Sequence, residues 1–157
     1  MRFLLFLTLS ALLACNKETP PSEVVDTAID IQIENQMGEN LLNEATNNAI
    51  NPDAIKLMYL IDGKALTVYN TQLDCPSGFC RIEELGFNGI RIFPNDVASE
   101  AFPITYIDWG NGDTDTIKCQ FERGEHFMRC SKVWVNETLS FPDQAIPGLG
   151  RAIKIVK

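Results

Sequence analysis

Five cysteines, a single histidine and one short acidic run are the residues of this 157-residue chain whose types and spacing can do chemistry. Cys75 and Cys80 enclose Pro76-Ser77-Gly78-Phe79, turn chemistry that suits a tight loop closed by a disulfide. Cys119 and Cys130 lie on two segments that read as a hairpin. If they stand opposite each other, Phe121 meets Met128 on the same face, a register that buries two apolar side chains together. Three pairings of these four cysteines are open, and the local pairs Cys75–Cys80 and Cys119–Cys130 are favoured. Zinc is the competing chemistry, but only Cys75 and Cys80 have ligand-like spacing, with His126 the lone imidazole nearby.

The acidic run Asp108, Asn111, Asp113, Asp115 brackets a Gly-rich turn and is the best metal candidate, for calcium. Its spacing does not match an EF-hand loop, and hairpin chemistry explains it equally well. No metal or other cofactor is therefore expected. His126 would be the base of any hydrolytic triad. No Ser sits in a Gly-x-Ser-x-Gly frame, since Ser77 lies in Cys-Pro-Ser-Gly, so His126 reads as an exposed hairpin tip and no catalysis is expected. Tyr106, Trp109 and Trp134 form the possible ligand-binding set, an aromatic platform for a sugar or peptide, against the alternative that they fill the core. Trp109, just before a turn, has the better prospect of exposure, and Trp134, between Val133 and Val135, reads as core or half-core. Asn136-Glu137-Thr138 matches a glycosylation sequon by accident of a turn.

The chain carries 13 basic and 21 acidic residues, a net charge of −8. Without a basic cluster such a surface repels phosphate, and a nucleic-acid partner is excluded. The one strong N-terminal signal is Arg2 followed by the apolar run Phe3 to Ala14 and then Cys15, ending in Leu12-Leu13-Ala14-Cys15. The run has signal-peptide length, short of the about 20 apolar residues of a membrane span. It resembles the lipobox of bacterial lipoproteins. That resemblance implies that residues 1–14 are a cleaved signal peptide, that Cys15 carries lipid, and that the protein sits in the cell envelope on a membrane. In enterobacterial lipoproteins Asp after the cysteine marks inner-membrane retention; Asn16 stands here, which points to the outer membrane. Lys17-Glu18 also resembles the export tags of surface lipoproteins in Bacteroidota. Setting Cys15 aside leaves an even four cysteines in an exported chain, the usual count for disulfides.

The elements that must position these residues are short. Residues 15–26, with Pro20-Pro21, read as anchor and extended tether. A single domain is expected over 27–157. Ile29, Ile31 and Ile33 alternate with Asp30, Gln32 and Glu34, a half-buried strand. The Asn-rich stretch to Asn51-Pro52 reads mostly as loop. Ala54–Ile61 and Lys64–Asn70 flank Asp62-Gly63, a two-residue hairpin signal, with the first strand apolar on both faces and so central. Residues 89–93 form a strand ended by Pro94, and Asn95–Ala101 has room for one helical turn. Ile104–Asp108, Thr114–Glu122, His126–Val135, Thr138–Phe141 and Arg151–Val156 complete the pattern, with Arg123-Gly124-Glu125 as the turn between the two long strands. About eight short strands and no long amphipathic helix predict an all-β antiparallel β-sandwich, immunoglobulin-like or transthyretin-like.

The mature part also resembles the small β-sandwich lipoproteins of Bacteroidota. The stretches Asn35-Gln36-Met37-Gly38-Glu39-Asn40-Leu41-Leu42, Ile55 to Gly63, Tyr106 to Ile117 and Lys132 to Asn136 carry the likeness. That family usually has Gly after the Asn of the last stretch, where Glu137 stands here. It implies fold and location and assigns no activity. The function expected is a lipid-anchored, non-catalytic binding or assembly module of the envelope, its partner an envelope protein or a glycan. The alternatives are glycan binding through exposed aromatics, and an envelope enzyme or inhibitor.

Overall fold

The computed structural model describes residues 23–157 except Leu85. The expected signal peptide, Cys15 and most of the expected tether lie outside the described residues. Among the described residues eleven strands form two sheets: β1 (Val24–Asp26), β2 (Ile29–Glu34), β3 (Lys56–Ile61), β4 (Lys64–Thr67), β5 (Phe79–Glu84), β6 (Phe87–Ile92), β7 (Ile104–Asp108), β8 (Thr114–Gly124), β9 (Phe127–Val135), β10 (Thr138–Phe141) and β11 (Ala152–Val156). The larger sheet runs β1-β9-β8-β7-β3-β4, with β10 also on β9; the smaller runs β11-β2-β6-β5. The two face each other across one core, a β-sandwich as expected. Among the described residues no helix is long and apolar enough to cross a membrane.

The isoleucines of β2 go inward as expected: Ile29, Ile31 and Ile33 are fully buried and form the centre of the core with Leu57, Ile90, Ile107, Ile117, Val133 and Ile153, while of the polar partners Glu34 is also buried. On the outer face Asp30 and Arg91, directly opposite across β2 and β6, make a two-pronged ion pair at 2.7 and 2.9 Å. Asp62 and Gly63 turn the β3–β4 hairpin with φ of 50° and 75°, the left-handed geometry that a two-residue hairpin turn requires. β3 lies between β4 and β7. Gly89 is glycine for a different reason: a Cβ there would stand 2.3 Å from the Ile31 carbonyl oxygen.

Several expectations are corrected. Pairing is not antiparallel throughout, because β1 joins β9 and β11 joins β2 in parallel. β1 lies in what reads as tether; three residues are too few to show a period. β5 is an edge strand, not expected from the sequence, that begins inside the cysteine loop and contains Cys80. Asn95–Ala101 forms no helix. Asn95 instead buries its side chain, donating to the Leu60 and Ile104 carbonyls while its N–H is held by Thr105 Oγ1 at 2.7 Å. The stretch before Pro52 is loop, as read.

The hairpin of the two long strands turns at Glu125-His126, with Gly124 still paired to Phe127. The Phe127 ring covers Gly124 so closely that a Cβ there would lie 2.3 Å from it, so the glycine makes room for a ring. Further along, β9 carries one extra residue, Ser131, between the pairs Gln120↔Lys132 and Phe121↔Cys130. Cys119 is therefore opposite Val133, not Cys130, and Met128 is opposite Arg123, not Phe121.

Candidate functional site

Apart from Cys15, which lies outside the described residues, each sequence-picked residue has a definite place. Cys75–Cys80 is a disulfide with Cα atoms 5.4 Å apart, closing the turn that leads into β5. Cys119 and Cys130 are both buried and stand as thiols, against the expected second disulfide. The bulge still turns both towards the core, where Cys130 Sγ donates to the Lys132 carbonyl at 3.6 Å. Interaction with the Cys130 side chain first, and burial second, push the Cys119 thiol well above its ordinary value, while the same interaction lowers Cys130. Buried thiols with no exposed sulfur are inert to alkylation. In the native protein iodoacetamide should label neither cysteine; in guanidinium it should label both, read by intact-mass spectrometry, with Cys75 and Cys80 reacting only after reduction.

His126 is at the hairpin tip, half exposed, 3.8 Å from Glu125. Tyr59 donates its hydroxyl to the Phe93 carbonyl at 2.6 Å, and burial raises its pKa to about 12, so it holds its proton near neutral pH. Asn136 and Glu137 turn the β9–β10 hairpin at φ 47° and 69°. Glu137, in a conformation that suits glycine, is held by an ion pair to Lys118 at 2.6 Å.

The aromatics fall partly against expectation: Trp109, which had the better prospect of exposure, is buried, while Trp134 is half-buried, within its core or half-core reading. Trp109 is 1% exposed. A buried indole needs a partner for its N–H, and Asp115 Oδ2 supplies it at 2.7 Å. Trp134 alternates with buried Val133 and so lies on the outer face of the larger sheet. There it packs edge-on against exposed Phe102, ring centres 5.8 Å apart, with Lys118 Nζ 5.5 Å from its ring. Tyr106 shares that outer face, two strands away on β7, opposite Thr116. The three rings form no common platform.

The acidic run is taken up by the protein itself. Asp108 and Asn111 each cap a turn, accepting from Gly110 N at 2.9 Å and Asp113 N at 3.0 Å. Asp115, 2% exposed, accepts from Trp109, from Asn136 Nδ2 at 2.6 Å and from Lys157 Nζ. Lys157 also pairs with Asp113 at 2.7 Å and lies 5.4 Å from the Trp109 ring centre. Among the described residues no three His, Cys, Asp or Glu side chains converge on a metal position.

Beside this network is the site that the sequence does not single out. A cleft of about 320 Å³ opens where the β7–β8 turn, the loop after β2 and the end of β11 meet. Asn35, Gln36, Asn47, Asn48 and Asn111 line it with Lys157, and Met37 and Leu41 supply its apolar surface. The loop holds its shape through asparagines that cap its own turns. Asn35 Oδ1 accepts from Met37 N and Glu39 N, both at 3.0 Å, and Asn40 Nδ2 donates to the Asn88 carbonyl at 2.7 Å. Gln36 Nε2 reaches the Lys157 carbonyl at 3.3 Å. Gln36, Asn47 and Asn48 are exposed. With Lys157 balanced by Asp113 and Asp115, the lining is an array of neutral amides, each able to donate and accept. Such a lining matches a neutral ligand rich in hydroxyl or amide groups. The only sequence signal for it is the density of asparagine between residues 43 and 51, which reads as loop chemistry.

No protein-family model matches this chain, and neither a curated protein nor a solved structure is significantly similar to it.

Proposed function

We propose that this chain is a lipid-anchored, non-catalytic binding module of the bacterial cell envelope, on the outer membrane, that takes a neutral hydroxyl- or amide-rich ligand such as a glycan in the amide-lined cleft. The observation that carries the reading is the polarity of the sandwich. β1, where the tether joins, pairs with the start of β9 at Phe127. β9 then runs nine residues to Val135, next to the Asn136–Asp115–Lys157 network behind the cleft. At about 3.3 Å per residue the two ends are about 30 Å apart. A module anchored at one end and open at the other presents its cleft away from the membrane.

The test has two arms. Cys15→Ser should abolish lipid labelling and release the protein from membranes; continued anchoring would overturn the address. A neutral oligosaccharide array, followed by titration with amide chemical shifts, should map binding to residues 36–48 and 111. Gln36→Ala with Asn47→Ala should weaken that binding about thirtyfold, since each neutral hydrogen bond contributes about 1 kcal/mol, without lowering the melting temperature. The half-exposed Trp134 beside Phe102 gives the alternative glycan reading its own observation. Loss of binding in Trp134→Ala with the cleft variants unaffected would favour it.

A further inference from the structure

The tether end carries apolar side chains that stay largely exposed. Val24 and Val25 are 59% and 56% exposed, and Phe127 is 45% exposed. Register places Val24 beside Phe127 on one face of the larger sheet and Val25 beside Met128 on the other. The corner is thus apolar on both sides and flanks a shallow cavity of about 400 Å³ lined by Val24, Asp26, Phe127, Met128 and Arg129. A corner apolar on both faces suits a medium that surrounds it better than a single packed partner.

We propose that this corner rests in the headgroup region of the membrane that holds the anchor. The proposal deepens the lipoprotein reading and rests on Cys15 bearing lipid. Seven residues, 16–22, separate Cys15 from Glu23. Even fully extended, that segment spans no more than about 30 Å, so the corner cannot leave the vicinity of the bilayer. Tethering makes the contact intramolecular, and three side chains that would not hold a free protein on a membrane suffice to orient an anchored one. The net charge of −8 opposes contact with anionic headgroups, so the tether and not charge attraction brings the corner to the surface, where the nearby charges are largely paired. Asp26 is paired to Arg151 and Glu122 to Arg129. Glu125 at the tip is 90% exposed, which limits the corner to the interface and keeps it out of the hydrocarbon. A second copy of the chain fits less well. A stable dimer buries about 1,000 Å² or more, beyond the reach of three side chains, and a three-residue edge offers little for strand addition.

The experiment uses the lipidated full-length protein in phosphatidylethanolamine–phosphatidylglycerol vesicles. Co-flotation is measured first. Then the added emission of Phe127→Trp is compared with wild type in vesicles containing brominated lipids, and hydrogen exchange of the Val24–Asp26 amides is compared in vesicles and in detergent. Flotation with loss of most of the added emission, and slower exchange of β1 in vesicles in the unmutated protein, supports the proposal. Flotation without quenching and without added protection overturns it and leaves the anchor standing. Failure to float overturns the anchor and the proposal together. A cross-linked dimer that Phe127→Asp abolishes would assign the corner to a second copy and overturn it too.

Discussion

Replacing Asp115 with alanine is expected to cost about 3–4 kcal/mol of stability, seen as a lower urea midpoint with unchanged slope. The carboxylate is buried and accepts from three donors on three segments: the Trp109 indole, the Asn136 amide and the Lys157 ammonium. Removing it leaves all three without their partner, and breaking one side of a buried ion pair costs about 3–5 kcal/mol. The figure sits in the lower part of that range because Lys157 keeps Asp113 at 2.7 Å. Asp115→Asn keeps the shape and one oxygen but turns an N–H group towards a donor, so it should recover only part of the loss. Asp113→Ala, whose side chain is 48% exposed, should cost less than about 1 kcal/mol. The same carboxylate fixes Lys157 and the turn bearing Asn111, both on the cleft. Asp115→Ala should therefore also broaden the amide resonances of residues 36–48 while those of β1 stay sharp. An equal response at both ends would show that the network stabilises the fold without shaping the cleft.

That network also shows how far the sequence could be read. Local rules carried the strands: the isoleucine alternation of β2, the Asp62-Gly63 turn and the closed Cys75–Cys80 loop are each decided by neighbours in the chain. Trp109 is different. Its burial depends on a carboxylate six residues on and a lysine 42 residues beyond that, and nothing local announces that an indole N–H will find a partner. Trp134 was partly legible: its apolar neighbours suggest core or half-core, and strand alternation from Val133 puts it on the opposite face, where it is half-buried. The cysteine register failed for two compounding reasons. Gly124 belongs to the strand because the Phe127 ring covers it, and Ser131 is inserted opposite no partner. Either shift alters every pair beyond it, because strand faces have a period of two. The cleft was the least legible feature. Its amides come from two loops and a strand end, and asparagine that lines a site has the same sequence signature as asparagine that caps a turn.

At the opposite end one arginine does what Asp115 does at the cleft. Arg151 precedes β11 on the smaller sheet and donates across to the larger. It bonds both Asp26 oxygens at 3.0 Å, the Cys130 carbonyl at 2.8 Å and the Ala28 carbonyl at 2.7 Å, with the Phe141 ring centre 5.8 Å away. Its side chain is 9% exposed. Arg151→Met keeps the apolar stem, removes every one of those bonds and strands two carbonyls. The expected loss is about 3 kcal/mol, held below the full cost of breaking a buried pair because the Asp26 side chain is 57% exposed. Lysine keeps the charge without the planar fork and should recover less than half of it. The hydrogen bonds from Arg151 are the main reason that Asp26 titrates below its ordinary 3.8. A carboxylate with a lowered folded pKa adds stability that is present above 3.8 and is lost as pH falls through the lowered value. The gap between wild type and Arg151→Met should therefore be widest near neutral pH and narrow at about pH 2, read by thermal unfolding of both proteins in parallel. A gap independent of pH would mean that the two carbonyls, and not Asp26, carry the contribution. Because Asp26 is the last residue of β1, the variant should also speed exchange at Val24–Asp26 first, loosening the very corner that is proposed to meet the membrane while leaving the cleft intact.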